Sequence, residues 1–305
     1  MYKIIPALLI LSFVPYLGIA QEGEHYRFWR DLREADQEFS QAATEQGRTD
    51  AFLAALGQGS VLFREGPVNA RELYERNQTL YSLDQLTWRC HFIDVSLDGD
   101  LGVTVGPNFF VPSRERNDEV QETYNHMVNV WRKVNGEWKL MVDIVVRVPG
   151  FLSLDVEPKY SDTLALMDET ARSELTVDND MQGLLDADVR FGSSINFRGG
   201  QRAWLRYAMI NSRVYLPGMA PSVGTEAASS AYGRYMDSRV TATNPLSVTP
   251  NGGYMATSKE MGYTYGVMTT NSAEGGANFR TNYLRVWRYT NNNEWKVAME
   301  FLSPY

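Results

Sequence analysis

The sequence predicts an α+β fold in which one unit, helices first and a curved antiparallel sheet after, is written twice in tandem. A hairpin-like run, "VWRKVNGEWKLMVDI" at Val130–Ile144, returns as "VWRYTNNNEWKVAMEF" from Val286. Upstream, Glu34–Gly66 aligns without a gap to Asp186–Gly218, with identical pairs that include Ala35/Ala187, Asp36/Asp188, Phe39/Phe191, Gly47/Gly199, Ser60/Ser212 and Gly66/Gly218. Between these, "LGVTVG" from Leu101 matches "MGYTYG" from Met261 at Gly, Thr and Gly. The matches keep their order along the chain, which is the mark of an internal repeat.

The first twenty residues read as an export signal. Lys3 supplies a positive start, Ile4–Ile19 is mostly apolar, and Gly18 and Ala20 are small residues before a cut at Gln21. The run is shorter than the roughly 20 residues of a membrane span, so residues 1–20 are assigned to a signal peptide and the mature protein to the periplasm or the outside of the cell. After cleavage no membrane partner is expected. Cys90 is the sole cysteine, so no internal disulfide can form.

Each element of the repeated unit has a sequence cause. Phe28, Leu32, Ala35, Phe39 and Ala42 recur at helical spacing and give an amphipathic helix that Gly47 stops. A second short helix follows, with Thr49 as its N-cap and Phe52, Leu53 and Leu56 on its buried side, broken by Gly57 and Gly59. "SVLFREG" reads as a strand and "NARELYERN" as a third helix. Then come strands: "LTWRCHFIDVSL", an Asp98-Gly99 turn, "LGVTVGPNFF", and a hairpin from Tyr124 to Val148 whose Asn135-Gly136 turn suits the type I′ geometry. Pro149, Gly150 and Pro158 mark a linker, and a long helical stretch from Thr163 to about Gly192 opens the second unit. The domains expected are therefore 21–152, and 153–305 with its linker helix.

Composition narrows the function. The 305 residues are 44% hydrophobic and 22% charged, with a net charge of −8. That charge argues against nucleic acid, which needs clustered Lys and Arg. Only His25, His91 and His126 are present, none at metal-ligand spacing, so no metal site is expected. There is no phosphate-cradling or dinucleotide-binding loop and no GxSxG, so no cofactor is expected either.

Taken together, "VLFREGPVN", "GDLGVTVGP" and "VWRKVNGEWKLMVDI" resemble the nuclear transport factor 2-like superfamily, and more closely a bacterial SnoaL-like branch of uncharacterised function. The second copy resembles it through "YTYG" and "YLRVWRY". The resemblance implies two tandem cone-shaped units, each a curved sheet closed by helices with a pocket at the wide end. It also implies that the two units pack on each other as an intramolecular pseudo-dimer. Where many relatives place histidine on the last strand, this chain has Val142 and Ile144, and Met299 and Phe301 in the second copy. That argues against an enzyme. Asp143 and Glu300 are matched acids that alternate with the apolar set, and so are expected to point away from the pocket.

Parity on the strands gives ligand-binding candidates and leaves catalytic residues unassigned. His91 falls with Ile93 and Val95, and His126 with Val128 and Val130, so both are expected to face the cone; a histidine satisfied structurally is the alternative for each. Tyr124, Asn125 and Asn129 add polar groups on the same strand, and Arg285 is the second-copy counterpart of Asn129, with a fork that matches a carboxylate; a surface salt bridge is the alternative for Arg285. Trp88, Phe92, Phe109 and Phe110 read as core, while Tyr254, Tyr263 and Tyr265 read as core or pocket wall. Three functions compete: a small-molecule-binding protein of the first cone, a proton-transfer enzyme of isomerase, cyclase or dehydratase type, and a protein-interaction module. Any chemistry is expected in the first unit, because the second has no histidine.

Overall fold

The computed structural model describes residues 17–78, 81, 83–113, 122–164, 166, 179–270 and 278–305, with side chains from Gly23 onward. Residues 1–16 of the expected signal peptide, and most of 163–178 of the expected linker helix, lie outside the described residues. No described helix is long and apolar enough to cross a membrane.

The first unit runs α1 (Leu17–Glu45), α2 (Arg48–Ala55), β1 (Leu56–Arg64), β2 (Gly66–Asn69), α3 (Ala70–Arg76), β3 (Gln85–Trp88), β4 (Phe92–Val95), β5 (Leu101–Val111), β6 (Thr123–Val134) and β7 (Glu137–Val148). The second runs α4 (Met181–Arg198), α5 (Gly200–Tyr207), β8 (Ala208–Tyr215), β9 (Ser222–Val223), α6 (Thr225–Asp237), β10 (Leu246–Met255), β11 (Met261–Thr270), β12 (Arg280–Tyr289) and β13 (Trp295–Pro304). The strand orders are β2-β1-β7-β6-β5-β3, with β4 also on β5, and β9-β8-β13-β12-β11-β10. They are the same order, element for element, and both units are α+β. Each sheet is mixed, not purely antiparallel as expected. β1 leaves α2 and runs parallel to β7, and β8 runs parallel to β13.

Local chemistry accounts for most boundaries. Gly47 at φ 91° and Gly199 at φ 75° turn the chain between the paired helices of each unit. Thr49 is not the cap: Gly47 holds that place, and Thr49 is buried inside α2, its hydroxyl donating to the Gln78 carbonyl. Gly57 and Gly59 do not break an element either, since both lie within β1. A Cβ on Gly57 would come within 2.6 Å of Met141 Sδ. Asn135 and Gly136 both take positive φ, as the tight hairpin requires. Gly102 and Gly262 lie under the α1 and α4 leucines, where a Cβ would come within 2.3 Å of Leu32 and 2.6 Å of Leu184. The repeated glycines are thus contact points between helix and sheet.

Both faces of each sheet are buried. One face of the first sheet packs on its own helices around Leu32, Phe39, Phe52, Trp131 and Leu140, and the second repeats this with Phe191, Trp204, Tyr232 and Trp287. The opposite faces share a single apolar layer. Val103, Val128, Val130, Val142 and Ile144 of the first sheet meet Tyr263, Leu284, Val286, Met299 and Phe301 of the second. Polar contacts key this layer at its edges. Arg288 forks onto Asp94, with Nη2 2.7 Å from Oδ1, and also pairs with Glu260. At the equivalent place on the other side, Arg132 lies over the Tyr254 ring. Asn282 donates to the Arg64 carbonyl and Gly218 N–H to that of Arg147.

Candidate functional site

The inward face of the first sheet is built in rows, because β5, β6 and β7 are in antiparallel register. The deepest row is Thr104–Asn129–Asp143, the next Gly106–Met127–Val145, the next Asn108–Asn125–Arg147, and Phe110–Thr123 form the rim. β1 adds Leu62 beside Asp143 and, two residues on, Arg64. From the helix side come Arg48 and Phe52 of α2, with Tyr81 beyond α3. Most of these residues, Thr104, Gly106, Asn129 and Leu62 excepted, line an open cavity of about 560 Å³. Polar side chains on fixed strands around a half-apolar hollow are the usual make-up of a small-molecule site.

The floor is a hydrogen-bond network centred on Asp36, in which Asn129 Oδ1 is left without a partner. Asp36 of α1 is fully buried and accepts from Thr104 Oγ1 at 2.5 Å, Asn129 Nδ2 at 3.2 Å and Trp88 Nε1 at 3.3 Å. Trp131 Nε1 donates to Thr104 Oγ1 at 3.0 Å. Burial raises the Asp36 carboxyl above its usual range, and these donors oppose the rise. In the same deepest row, Asp143 faces the cavity with its Oδ1 sealed from solvent and without a hydrogen-bond partner. Burial pushes this carboxyl up to about 6, against the pull of Arg48 and Arg64. Arg48 is held by Asp84 at 3.0 Å and Tyr74 Oη at 3.1 Å, and lies over the rings of Tyr81 and Phe110. Asn125 Nδ2 donates to Asn108 Oδ1 at 2.9 Å. Arg64 and Arg147 are exposed at the mouth.

The structure turns the strand parity around. Val128 and Val130, the companions of His126, face the other sheet and not the cone. His126 is accordingly buried in the shared layer, its ring edge-on to Tyr215 at 5.3 Å, with both ring nitrogens unpartnered. Burial lowers it to about 4, with His91 nearby adding to the effect. His91 does not line the cone either. The strand expected through Trp88–Leu97 is interrupted between β3 and β4, so the alternation is lost there: Cys90 and Ile93 point inward while Phe92 joins the shared layer. Tyr124 stands on the same outward face as His126, between Phe109 and Phe151. Asn129 does face inward, but as part of the floor. Arg285 faces into the second cone, fully buried between Asp188 at 2.5 Å and Glu300 at 2.9 Å.

Asp143 and Glu300, expected to point away, are therefore the acids that point inward. Trp88 is core as expected, Phe110 is cavity wall, and Tyr263 belongs to the shared layer with Tyr254 and Tyr265 packed against it. Sequence reasoning did not single out Arg48, Arg64, Asn108 or Arg147. The available signal was the second parity of the hairpin: Asn125, Asn129, Asp143 and Arg147 alternate with a set that is apolar except for Tyr124 and His126. In a sheet buried on both faces, the polar set marks the wet one.

No protein-family model and no curated protein matches the sequence. Among solved structures, the chain is similar to a ketosteroid isomerase-like protein from Erwinia carotovora atroseptica, at 15% identity over 39% of this chain and 92% of that one, TM-score 0.33. It is similar to a nuclear transport factor 2-like protein of unknown function from Shewanella oneidensis, at 12% identity over 39% and 98%, TM-score 0.32. A domain of unknown function with a cystatin-like fold from Nostoc punctiforme matches at 10% identity over 43% and 80%, TM-score 0.36. Each of these matches spans about two fifths of this chain, roughly the length of one unit.

Proposed function

We propose that this chain is an exported small-molecule-binding protein whose site is the open cone of the first unit. The observation that supports this most directly is the roughly 560 Å³ cavity, with Arg48, Asn108, Asn125 and Asp143 converging on it from rigid elements. In this reading residues 1–20 are removed on export, 21–152 and 153–305 are the two domains, and the second domain serves the first as the other half of a pseudo-dimer. The site test is a fragment screen on the full mature chain, followed by amide and methyl NMR. Binders should shift Met127, Asn125 and the neighbours of Asp143. Hits that shift only residues elsewhere would overturn the assignment. Export predicts Gln21 as the mature N-terminus, which N-terminal sequencing of the secreted or periplasmic fraction checks.

Asp143 favours a second reading, a proton-transfer enzyme using the same cavity. A buried carboxyl whose pKa lies near 6 can both give and take a proton close to neutral pH. For a bound fragment with an acidic C–H, solvent deuterium exchange should be accelerated by the protein and lost in Asp143→Asn with binding retained. Binding without any exchange leaves the first reading alone.

A further inference from the structure

The charge pattern of this cavity carries more than its shape. Among the described lining residues Asp143 is the single carboxylate, against the guanidiniums of Arg48, Arg64 and Arg147. This positive excess occurs on a chain of net charge −8. The three arginines are not equally committed. Arg48 is engaged by Asp84 and by aromatic rings on several sides. Among the described residues Arg64 bonds the Phe63 carbonyl and, at 3.4 Å, Tyr81 Oη. Among the described residues no carboxylate lies within ion-pair distance of Arg64 or Arg147. The two stand on neighbouring parallel strands and on the same face, Arg147 nearer the rim. The apolar part of the lining around them is Phe52, Leu86, Phe110 and Met127.

Resting on the reading of this cone as a binding site, we infer that its ligand is an organic anion with a flat apolar body, its carboxylate held at the mouth by Arg64 and Arg147. A guanidinium fork matches a carboxylate bidentately, and two uncommitted forks at a cavity entrance also steer an anion inward. The body fills the hollow between Phe52, Phe110 and Met127, with Asn108 and Asn125 in the same row as Arg147.

The test uses a matched pair, naphthalene-2-carboxylate and naphthalene-2-carboxamide, which share a body and differ in charge. Both are titrated against the full mature chain by NMR at low salt, and again on Arg147→Gln, Arg64→Gln and Arg206→Gln. Arg206 lies in the second unit, paired with Glu294, and serves as the control. The carboxylate should bind roughly tenfold or more tighter than the amide. That gap should shrink to about twofold in either mouth variant and persist in Arg206→Gln. Equal binding of the pair, or preference for the amide, overturns the charge selection while leaving the cavity as a binding site. If neither compound shifts a cavity resonance at millimolar concentration, the charge inference and the site reading fail together.

Discussion

The two cones share a register and differ in what fills it. In the first, the rows above the floor are Gly106–Met127–Val145 and Asn108–Asn125–Arg147; in the second they are Gly266–Tyr283–Leu302 and Met268–Thr281–Pro304. Tyr283 and Leu302 are buried in the second core, and Tyr283 Oη donates to Asp188 at 2.7 Å. The helices complete the contrast. Arg48 overhangs the first cavity, and its aligned partner Gly200 lets α6 settle directly on α5, where a Cβ would meet Met236 at 2.8 Å. α6 is 13 residues against 7 in α3, and it delivers Tyr232 into the core. An open site is thus not a property of this fold. It follows from small and polar residues in two rows, and from an arginine where a glycine would close the roof.

The floors test this contrast most strongly. In the first, Asp36 is met by neutral donors. In the second, Asp188 and Glu300 share the buried Arg285. Arg285→Met leaves two buried carboxylates uncompensated and should destabilise the chain by about 3–5 kcal/mol in urea unfolding. Asn129→Ala, at the matching position, should cost about 1–2 kcal/mol, since Asp36 keeps Thr104 and Trp88. Equal losses would show that the two floors are not electrostatically distinct.

The next contrast is in the shared layer, where His126 of the first sheet corresponds to Asn282 of the second. His126 has a folded pKa of about 4, below its ordinary 6.5. The unfolded chain therefore takes up the proton first. Stability is full above pH 6.5 and falls as the pH drops toward 4, by up to about 3 kcal/mol. His126→Phe should flatten that limb of the pH–stability curve. An unchanged slope would place the acid sensitivity elsewhere.

The smallest effect separates the inward acids. The Asp143 carboxyl is raised above its ordinary value to about 6, so its contribution is favourable below pH 3.8 and is lost as the pH rises through 6. Asp143→Asn should then stabilise the chain at pH 7 by about 1–2 kcal/mol, a range discounted for partial exposure. The gain should vanish below about pH 4. Glu300→Gln should go the other way at pH 7, because it weakens the pair with Arg285. A loss of stability in Asp143→Asn would mean that Asp143 is paired like Glu300, and the functional reading of its position would fall.

Much of the architecture was legible in the sequence, because repeats, turn residues and helical spacing are local signals. Asn135-Gly136, Gly47 and the Trp131/Trp287 correspondence all read correctly. Which face of the sheet looked into the cone was not legible. Alternation divides a strand into two sets but does not name them. Apolar residues normally mark the core face, and here the more apolar set, Val128, Val130, Val142 and Ile144, lies against a second sheet. The interruption between β3 and β4 hid His91 further, since a broken strand resets its own parity. Arg48 and Arg64 lie far in sequence from Asp143, and only the parallel pairing of β1 with β7 and the overhang of α2 bring them to one cavity.

The pairing of Arg48 with Gly200 has a further consequence. In a two-fold dimer of identical chains, every substitution is made twice, so a change that closes one cone closes both. Fused in one chain, the two positions mutate independently. The second cone is free to trade its hollow for packing, and the first can carry an ill-packed, charge-lined mouth while its neighbour supplies the rigidity. The join between the units therefore does more than hold them together: it makes asymmetry heritable.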